Sequence, residues 1–238
     1  MPDFSARSVL PEIMDDLECR GEVVDQTLRE LEFINAWLGG NDVTVSGVKK
    51  MVKGISSSRT ITLVDLGCGG GDMLRILYHW AKRNGVTLRL IGIDANPHII
   101  DFARNNIKDI PEIEFYTMDI FSEEFRQQKF DIVTGTLFYH HFTQQQLSSF
   151  FHQLKSQARI GIVINDIHRH PLAYYSIRIL TQLFSKSSMV KYDAPLSVLR
   201  AFSRAEVKSI LAAAAIEKFS LRWRWAFRWQ VLIPLKEG

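Results

Sequence analysis

Between residues 22 and 38 the apolar positions Val23, Val24, Leu28, Leu31, Ile34 and Leu38 recur at helical spacing and stop at Gly39-Gly40, which predicts an amphipathic leading helix. A polar stretch with Gly54 and Ser56-Ser57-Ser58 follows, and beyond it short apolar runs alternate with helical patterns. The runs at 61–66, 89–93, 113–117, 130–134 and 159–164 read as strands, with helices near 72–83, 97–107 and 143–155 between them. Such alternation predicts a doubly wound α/β fold, a parallel sheet covered by helices on both faces. The last third breaks the rhythm. Residues 172–184 carry one strongly apolar helical pattern and a loop containing Pro195 follows, so 171–202 reads as a helical cap inserted after strand five. Ser203 with Glu206 three residues on predicts a capping box opening a helix over 204–215. After it, 216–225 and 227–235 read as two tightly joined strands, a terminal hairpin that brings the sheet to seven.

A chain of 238 residues with 46% hydrophobic content can bury one sizeable core, so 1–238 is expected to be a single domain with an N-terminal helical extension over 1–55. The 29 Lys and Arg against 26 Asp and Glu leave +3, too weak a charge to demand a polyanionic partner. Cys19 and Cys68 are far apart and lack metal-ligand spacing, so no disulfide framework and no metal site is expected. The first residues carry Asp3, Arg7, Glu12, Asp15 and Asp16 rather than an apolar signal core, and no apolar run reaches bilayer length. The expectation is a cytoplasmic protein without a membrane span.

The chemistry is concentrated where the first strand ends. Strand 61–66 runs into Gly67, Gly69 and Gly71, and Asp72 opens a helix, so the chain makes a tight turn whose backbone can approach a ligand closely. Asp94, at the end of the next strand, stands about twenty residues further on, where a carboxylate can accept both hydroxyls of a ribose. A dinucleotide-dependent dehydrogenase would share these two features. Three others point away from it: the spacing is Gly-Cys-Gly-Gly-Gly rather than G-x-G-x-x-G, Asp65 puts negative charge where a pyrophosphate would be repelled and an ammonium or sulfonium attracted, and Asp119-Ile120 after the third strand can accept from an adenine amino group while packing on the ring.

Asp65-Leu66-Gly67-Cys68-Gly69-Gly70-Gly71, Gly92-Ile93-Asp94, Met118-Asp119-Ile120 and Phe130-Asp131-Ile132-Val133 together resemble the successive motifs of class I S-adenosylmethionine-dependent methyltransferases, over roughly residues 60 to 165. The resemblance implies S-adenosyl-L-methionine as cofactor. It implies that Gly67, Gly69 and Gly71 hold the methionine end, Asp94 the ribose and Asp119 the adenine, with Asp65, Cys68, Ala95, Ile120 and Thr136 completing the cofactor lining. It also implies an antiparallel last strand in the sheet. The helix at the start and the insert after strand five resemble small-molecule methyltransferases of bacterial secondary metabolism.

Ligands of open α/β sheets sit outside the carboxyl ends of the strands, so Thr136 to Phe142 and Asn165 to His170 are expected to line the acceptor site. Methyl transfer needs chiefly alignment and exclusion of water, and a base only when the acceptor is protonated. His140, His141, His168 and His170 are the candidates. An extended backbone would turn Asp166, His168 and His170 to one side, which favours His168 as the base ahead of His140; the competing reading of each is a packed or solvated histidine. Cys68 inside a glycine turn reads as a small residue beside the cofactor. On the apolar helix, Tyr174, Tyr175, Ile179, Leu183 and Phe184 are expected to wall an aromatic or hydrophobic small-molecule acceptor, methylated on oxygen. Phe33 and Trp37 either close over the cofactor or anchor the leading helix. In Arg222-Trp223-Arg224-Trp225 the period of two puts arginines on one face and tryptophans on the other, as in a half-buried edge hairpin, which argues against nucleic acid. Two alternatives stay open: an RNA or protein methyltransferase, and a catalytically silent methyltransferase-like binding protein. Sequence says nothing of the oligomeric state.

Overall fold

In a computed structural model that describes residues 2–235, seven strands form one sheet: β1 (Thr60–Leu66), β2 (Thr87–Asp94), β3 (Ile113–Thr117), β4 (Phe130–Thr136), β5 (Ala158–Ile167), β6 (Ser220–Arg224) and β7 (Arg228–Pro234). Residues 1 and 236–238 of the expected 1–238 span lie outside the described residues. The spatial order is β3-β2-β1-β4-β5-β7-β6. The first five strands run parallel, and β7 enters antiparallel to β5, with β6 paired antiparallel on its outer side. This is the doubly wound sheet expected from the alternation of strands and helices.

Each central strand is apolar on both faces because both are covered. Val64, Leu66, Val133 and Ile162 face a core shared with Leu147, Phe150 and Leu154 of α6 (Gln144–Gln157) and Ile210 of α9 (Arg204–Ala213). Ile61, Leu63, Leu90 and Ile132 face the opposite core, with Leu74 and Leu77 of α3 (Asp72–Asn84) and Ile100 of α4 (Pro97–Asn106). A four-residue helix, α5 (Glu123–Arg126), lies between β3 and β4. The capping box at Ser203 and Glu206 is present at the start of α9. Among the described residues no helix is long and apolar enough to cross a membrane.

Ahead of the sheet the leading helix α1 (Glu22–Trp37) turns at Gly39 into a second helix, α2 (Gly40–Met51), inside the expected helical extension but with no apolar periodicity to mark its bounds. Gly40, Thr44, Ser46 and Gly47 are poor helix formers, and the reason for them is contact: a Cβ on Gly47 would lie 2.5 Å from Val163 Cγ1 and 3.0 Å from Leu232 Cδ2. The small residue lets α2 lie directly on β5 and β7. Gly47→Ala is therefore expected to lower stability by about 1–3 kcal/mol through overpacking; an unchanged thermal midpoint would mean that α2 can lift off the sheet without cost.

Two expectations for the last third need correction. Pro195 is not in a loop: it lies inside α8 (Ser188–Arg200), which follows α7 (Pro171–Phe184). Proline removes one helical donor, but Ser187 caps α8 by accepting from the Val190 amide, and Met189, Val190, Leu196 and Val198 are buried, so burial outweighs propensity. In the hairpin, Trp223 stays 46% exposed because β6 is the sheet's outer strand, and Trp225, expected on the strand, lies in the turn after it and is 67% exposed.

Candidate active site

The carboxyl ends of β1, β2, β4 and β5 open into one cavity of about 810 Å³, within the range of small-molecule sites. The glycine loop forms its floor. Gly67 has φ +62°, and a Cβ there would fall 2.1 Å from the Phe138 ring, so only glycine fits. The loop is braced by Cys68 N donating to Ile93 O at 3.1 Å and Gly69 N donating to Asp94 Oδ2 at 3.4 Å. Asp65, Gly67, Cys68, Gly69, Asp94, Ala95, Asp119, Ile120 and Thr136 all line the cavity. Gly71 does not. It precedes α3 in a left-handed conformation, and its role is closeness, since a Cβ would meet Phe115 at 2.9 Å. Cys68 is buried and its thiol is pushed up by burial, which removes it from nucleophilic chemistry.

The electrostatics of this floor select the ligand's charge. Asp65 is buried against Thr134, whose hydroxyl donates to Oδ1 at 2.7 Å, and burial pushes its pKa up to about 7. Burial raises Asp72 to about 6, and Asp94 is raised for the same reason. A pyrophosphate would add charge of the same sign, whereas an ammonium and a sulfonium would stabilise the ionised acids. The donor set thus fits S-adenosylmethionine. Asp65 binds its proton more tightly folded than unfolded, so its contribution to stability is greatest in acid and falls away as the pH rises from about 4 to about 7. Asp65→Asn is expected to raise the thermal midpoint of the ligand-free protein at about pH 8, with the gain shrinking in acid, and to weaken binding of a cationic ligand. A lower midpoint at about pH 8 would mean that the ionised acid stabilises the fold.

The histidines divide sharply. His140 is 2% exposed, lines the cavity and places Nδ1 2.7 Å from Asp166 Oδ1. Asp166 also accepts from the Tyr139 and His140 amides with Oδ2. Although burial pushes its pKa up, the facing His140 ring holds the carboxyl below its usual value. An ionised carboxylate can only accept, so Nδ1 carries a proton, and Nε2 is the ring nitrogen left for other chemistry. Nε2 has no hydrogen-bond partner and lies 3.6 Å from Glu12 Oε1. The structure does not bring His168 to the cavity. Its amide bonds to Phe227 O, its ring lies against Trp229 with centroids 4.6 Å apart, and the Asp166 carboxylate is engaged by His140 instead. Simple alternation misassigned the pair because the 3-10 turn at Tyr139–His141 carries His140 across to Asp166.

Glu12 was not marked by any pattern in the sequence. It belongs to an N-terminal strap laid over the cavity: Arg7 donates to His140 O and Phe142 O, Asp193 accepts from the Ile13 and Met14 amides, and Arg200 pairs with Asp15. His141 Nδ1 in turn lies 2.6 Å from Asp15 Oδ1. Burial raises the Glu12 carboxyl to about 7. The cap closes the other side, but with a different face from the one expected. Ala173, Ser176, Ile177 and Leu180 of α7 line the cavity, while Tyr175, Ile179, Leu183 and Phe184 are exposed and Tyr174 packs on Phe4. Trp37 and Trp225 reach the cavity; Phe33 does not.

Residues 63–161 match the family described as the methyltransferase domain. The fold is similar to that of human N-acetylserotonin methyltransferase in complex with SAM, with 16% identity, a TM-score of 0.63, and coverage of 90% of this chain and 56% of that one. It is similar to the plantazolicin methyltransferase BpumL in complex with SAH (14% identity, TM-score 0.60, 90% of this chain and 96% of that one). It is also similar to the CurJ carbon methyltransferase (13% identity, TM-score 0.60, 82% of this chain and 54% of that one). The chain thus spans a little over half the length of the first and third. No curated protein sequence matches the chain.

Proposed function

We propose that the chain is a class I S-adenosylmethionine-dependent methyltransferase that transfers a methyl group to the oxygen of a small hydroxylated acceptor. The observation that carries the reading is the Asp166–His140 pair at the wall of the cavity that the glycine loop floors, with Nε2 buried beside Glu12 and free of a hydrogen-bond partner. An alcohol or phenol must lose its proton as it attacks, and Nε2 is the atom that can take it. An amine that attacks as the free base needs no such group.

S-adenosylmethionine supplies, when bound, a methyl group already activated by the positive sulfur. The residues suited to hold it are Asp65, Gly67 and Gly69 at the methionine end, Asp94 at the ribose and Asp119 with Ile120 at the adenine. What the chain adds is position and dryness. Asp166 fixes the His140 ring through one side-chain and two backbone hydrogen bonds, while the strap and the α7 face keep water from the acceptor. The enclosed, largely apolar cavity suits a small acceptor better than an RNA or a protein loop.

Methyl-labelled S-adenosylmethionine offered with matched panels of phenols, amines and carbon acids tests the proposal. Label is expected on phenolic oxygen, with His168→Ala indistinguishable from wild type. Label on nitrogen or carbon alone would overturn the oxygen assignment, and absence of cofactor binding in calorimetry would overturn the enzyme reading.

A further inference from the structure

Arg228, the first residue of β7, is 5% exposed and stands opposite Ile167 at the end of β5. Both residues line the cavity. Its guanidinium donates from Nη2 to Asn35 Oδ1 at 2.8 Å, its only hydrogen bond among the described residues, and Nη1 has no partner. The carboxylate that acts on it through space is Asp166, but both Asp166 oxygens are already engaged by His140, Tyr139 and Ile167. Burial, only partly offset by Asp166 at a distance, pushes the guanidinium down to about 10, so the charge persists at neutral pH at an energetic cost.

A buried arginine that serves only to pin helices usually has its five donors satisfied. Arg228 lines the cavity and keeps Nη1, buried in its wall, without a partner. Space has also been left for the head group, since a Cβ on Gly40 would come within 3.1 Å of Nη2. From this we infer that Arg228, with Asn35, is a carboxylate receptor in the wall of the cavity, filled when a ligand's carboxylate engages Nη1. The planar fork matches a carboxylate in shape as well as in charge, and a dry setting strengthens the pair. The inference rests on the methyltransferase reading. Two ligands of that reaction could supply the group: the amino-acid end of the cofactor, or an acceptor bearing a carboxylate beside its hydroxyl. The second would add one anionic handle to an otherwise apolar acceptor.

The test compares wild type with Arg228→Met, using S-adenosylhomocysteine, 5′-methylthioadenosine (which lacks the amino-acid end), salicylate, and the uncharged salicyl alcohol as probes. Binding is read by calorimetry and by the fluorescence of Trp225, which lines the cavity. If the cofactor's carboxylate is the ligand, Arg228→Met weakens S-adenosylhomocysteine about 10- to 100-fold and leaves methylthioadenosine unchanged. If the acceptor's carboxylate is the ligand, S-adenosylhomocysteine binds as before, and the preference for salicylate over salicyl alcohol disappears. In either case the ligand-free variant should melt no lower than wild type, because an uncompensated buried cation has been removed. A structural pin would instead give a lower midpoint and equal weakening of all four probes, which overturns the inference, as does unchanged binding of all four. Should Arg228→Met not fold, Arg228→Lys keeps the charge but not the fork, and must show the same probe selectivity to a smaller degree. Wild type that binds neither nucleoside overturns the cofactor reading alone, and the salicylate pair then decides the receptor.

Discussion

Asp94→Ala is expected to weaken S-adenosylmethionine binding by about 10²- to 10³-fold while leaving turnover at saturating cofactor much closer to wild type. Asp94 closes β2 at the edge of the cavity and does two jobs there. Its Oδ1 accepts from the Asn96 amide at 3.0 Å and its Oδ2 from Gly69 N at 3.4 Å, so the same carboxylate braces the glycine loop and has lone pairs left for ribose hydroxyls. Hydrogen bonds to a charged acceptor contribute about 1.5–3 kcal/mol each, and alanine removes both ligand bonds and the brace. The fold itself should not suffer, because burial raises the pKa of Asp94 and its removal relieves a buried carboxyl. Calorimetry for affinity and thermal melting for the ligand-free protein separate the two effects. An unchanged dissociation constant would remove Asp94 from the cofactor site; a collapsed midpoint would make it a structural residue.

His140→Ala is expected to lower kcat by about 10²- to 10⁴-fold with cofactor affinity near wild type, the signature of a group that acts on the acceptor's proton. Asp166→Asn should reproduce most of that loss without touching the ring. An asparagine can turn its amide nitrogen toward Nδ1, which then accepts, and the proton moves to Nε2, where it blocks the lone pair the reaction needs. Because Asp166 also holds the Tyr139 and His140 amides, Asp166→Ala would confound position with tautomer, and Asp166→Asn is the cleaner variant. Turnover that survives His140→Ala, or that falls only in step with cofactor affinity, would leave the histidine as packing.

Along the chain, the features that share an element were legible from the residues. Gly67 to Gly71 follow directly on β1 and Asp94 ends β2, so strand periodicity alone delivers the loop, Asp94 and Asp119 to one edge of a parallel sheet. The capping box at Ser203 follows from an equally local signal, whereas the order of the strands in the sheet emerged only from the structure. Helix α2 was hidden because its small residues answer to β5 and β7 rather than to helix propensity, and α8 was hidden by Pro195. The lining face of α7 was also missed. Its more apolar side is the exposed one, so hydrophobicity pointed away from the cavity.

The sequence by itself therefore determined the architecture and the cofactor floor, since both depend on periodicity and on residues a few positions apart along continuous elements. The tertiary structure alone decided the acceptor side. Whether Asp166 serves His140 or His168 depends on a 3-10 turn crossing between strand ends, and Glu12 and Arg228 reach the cavity only when a strap and a terminal strand fold back onto it from opposite ends of the chain. Charge pairing and burial depend on distance in space, and no spacing along the chain encodes a contact made across more than a hundred residues.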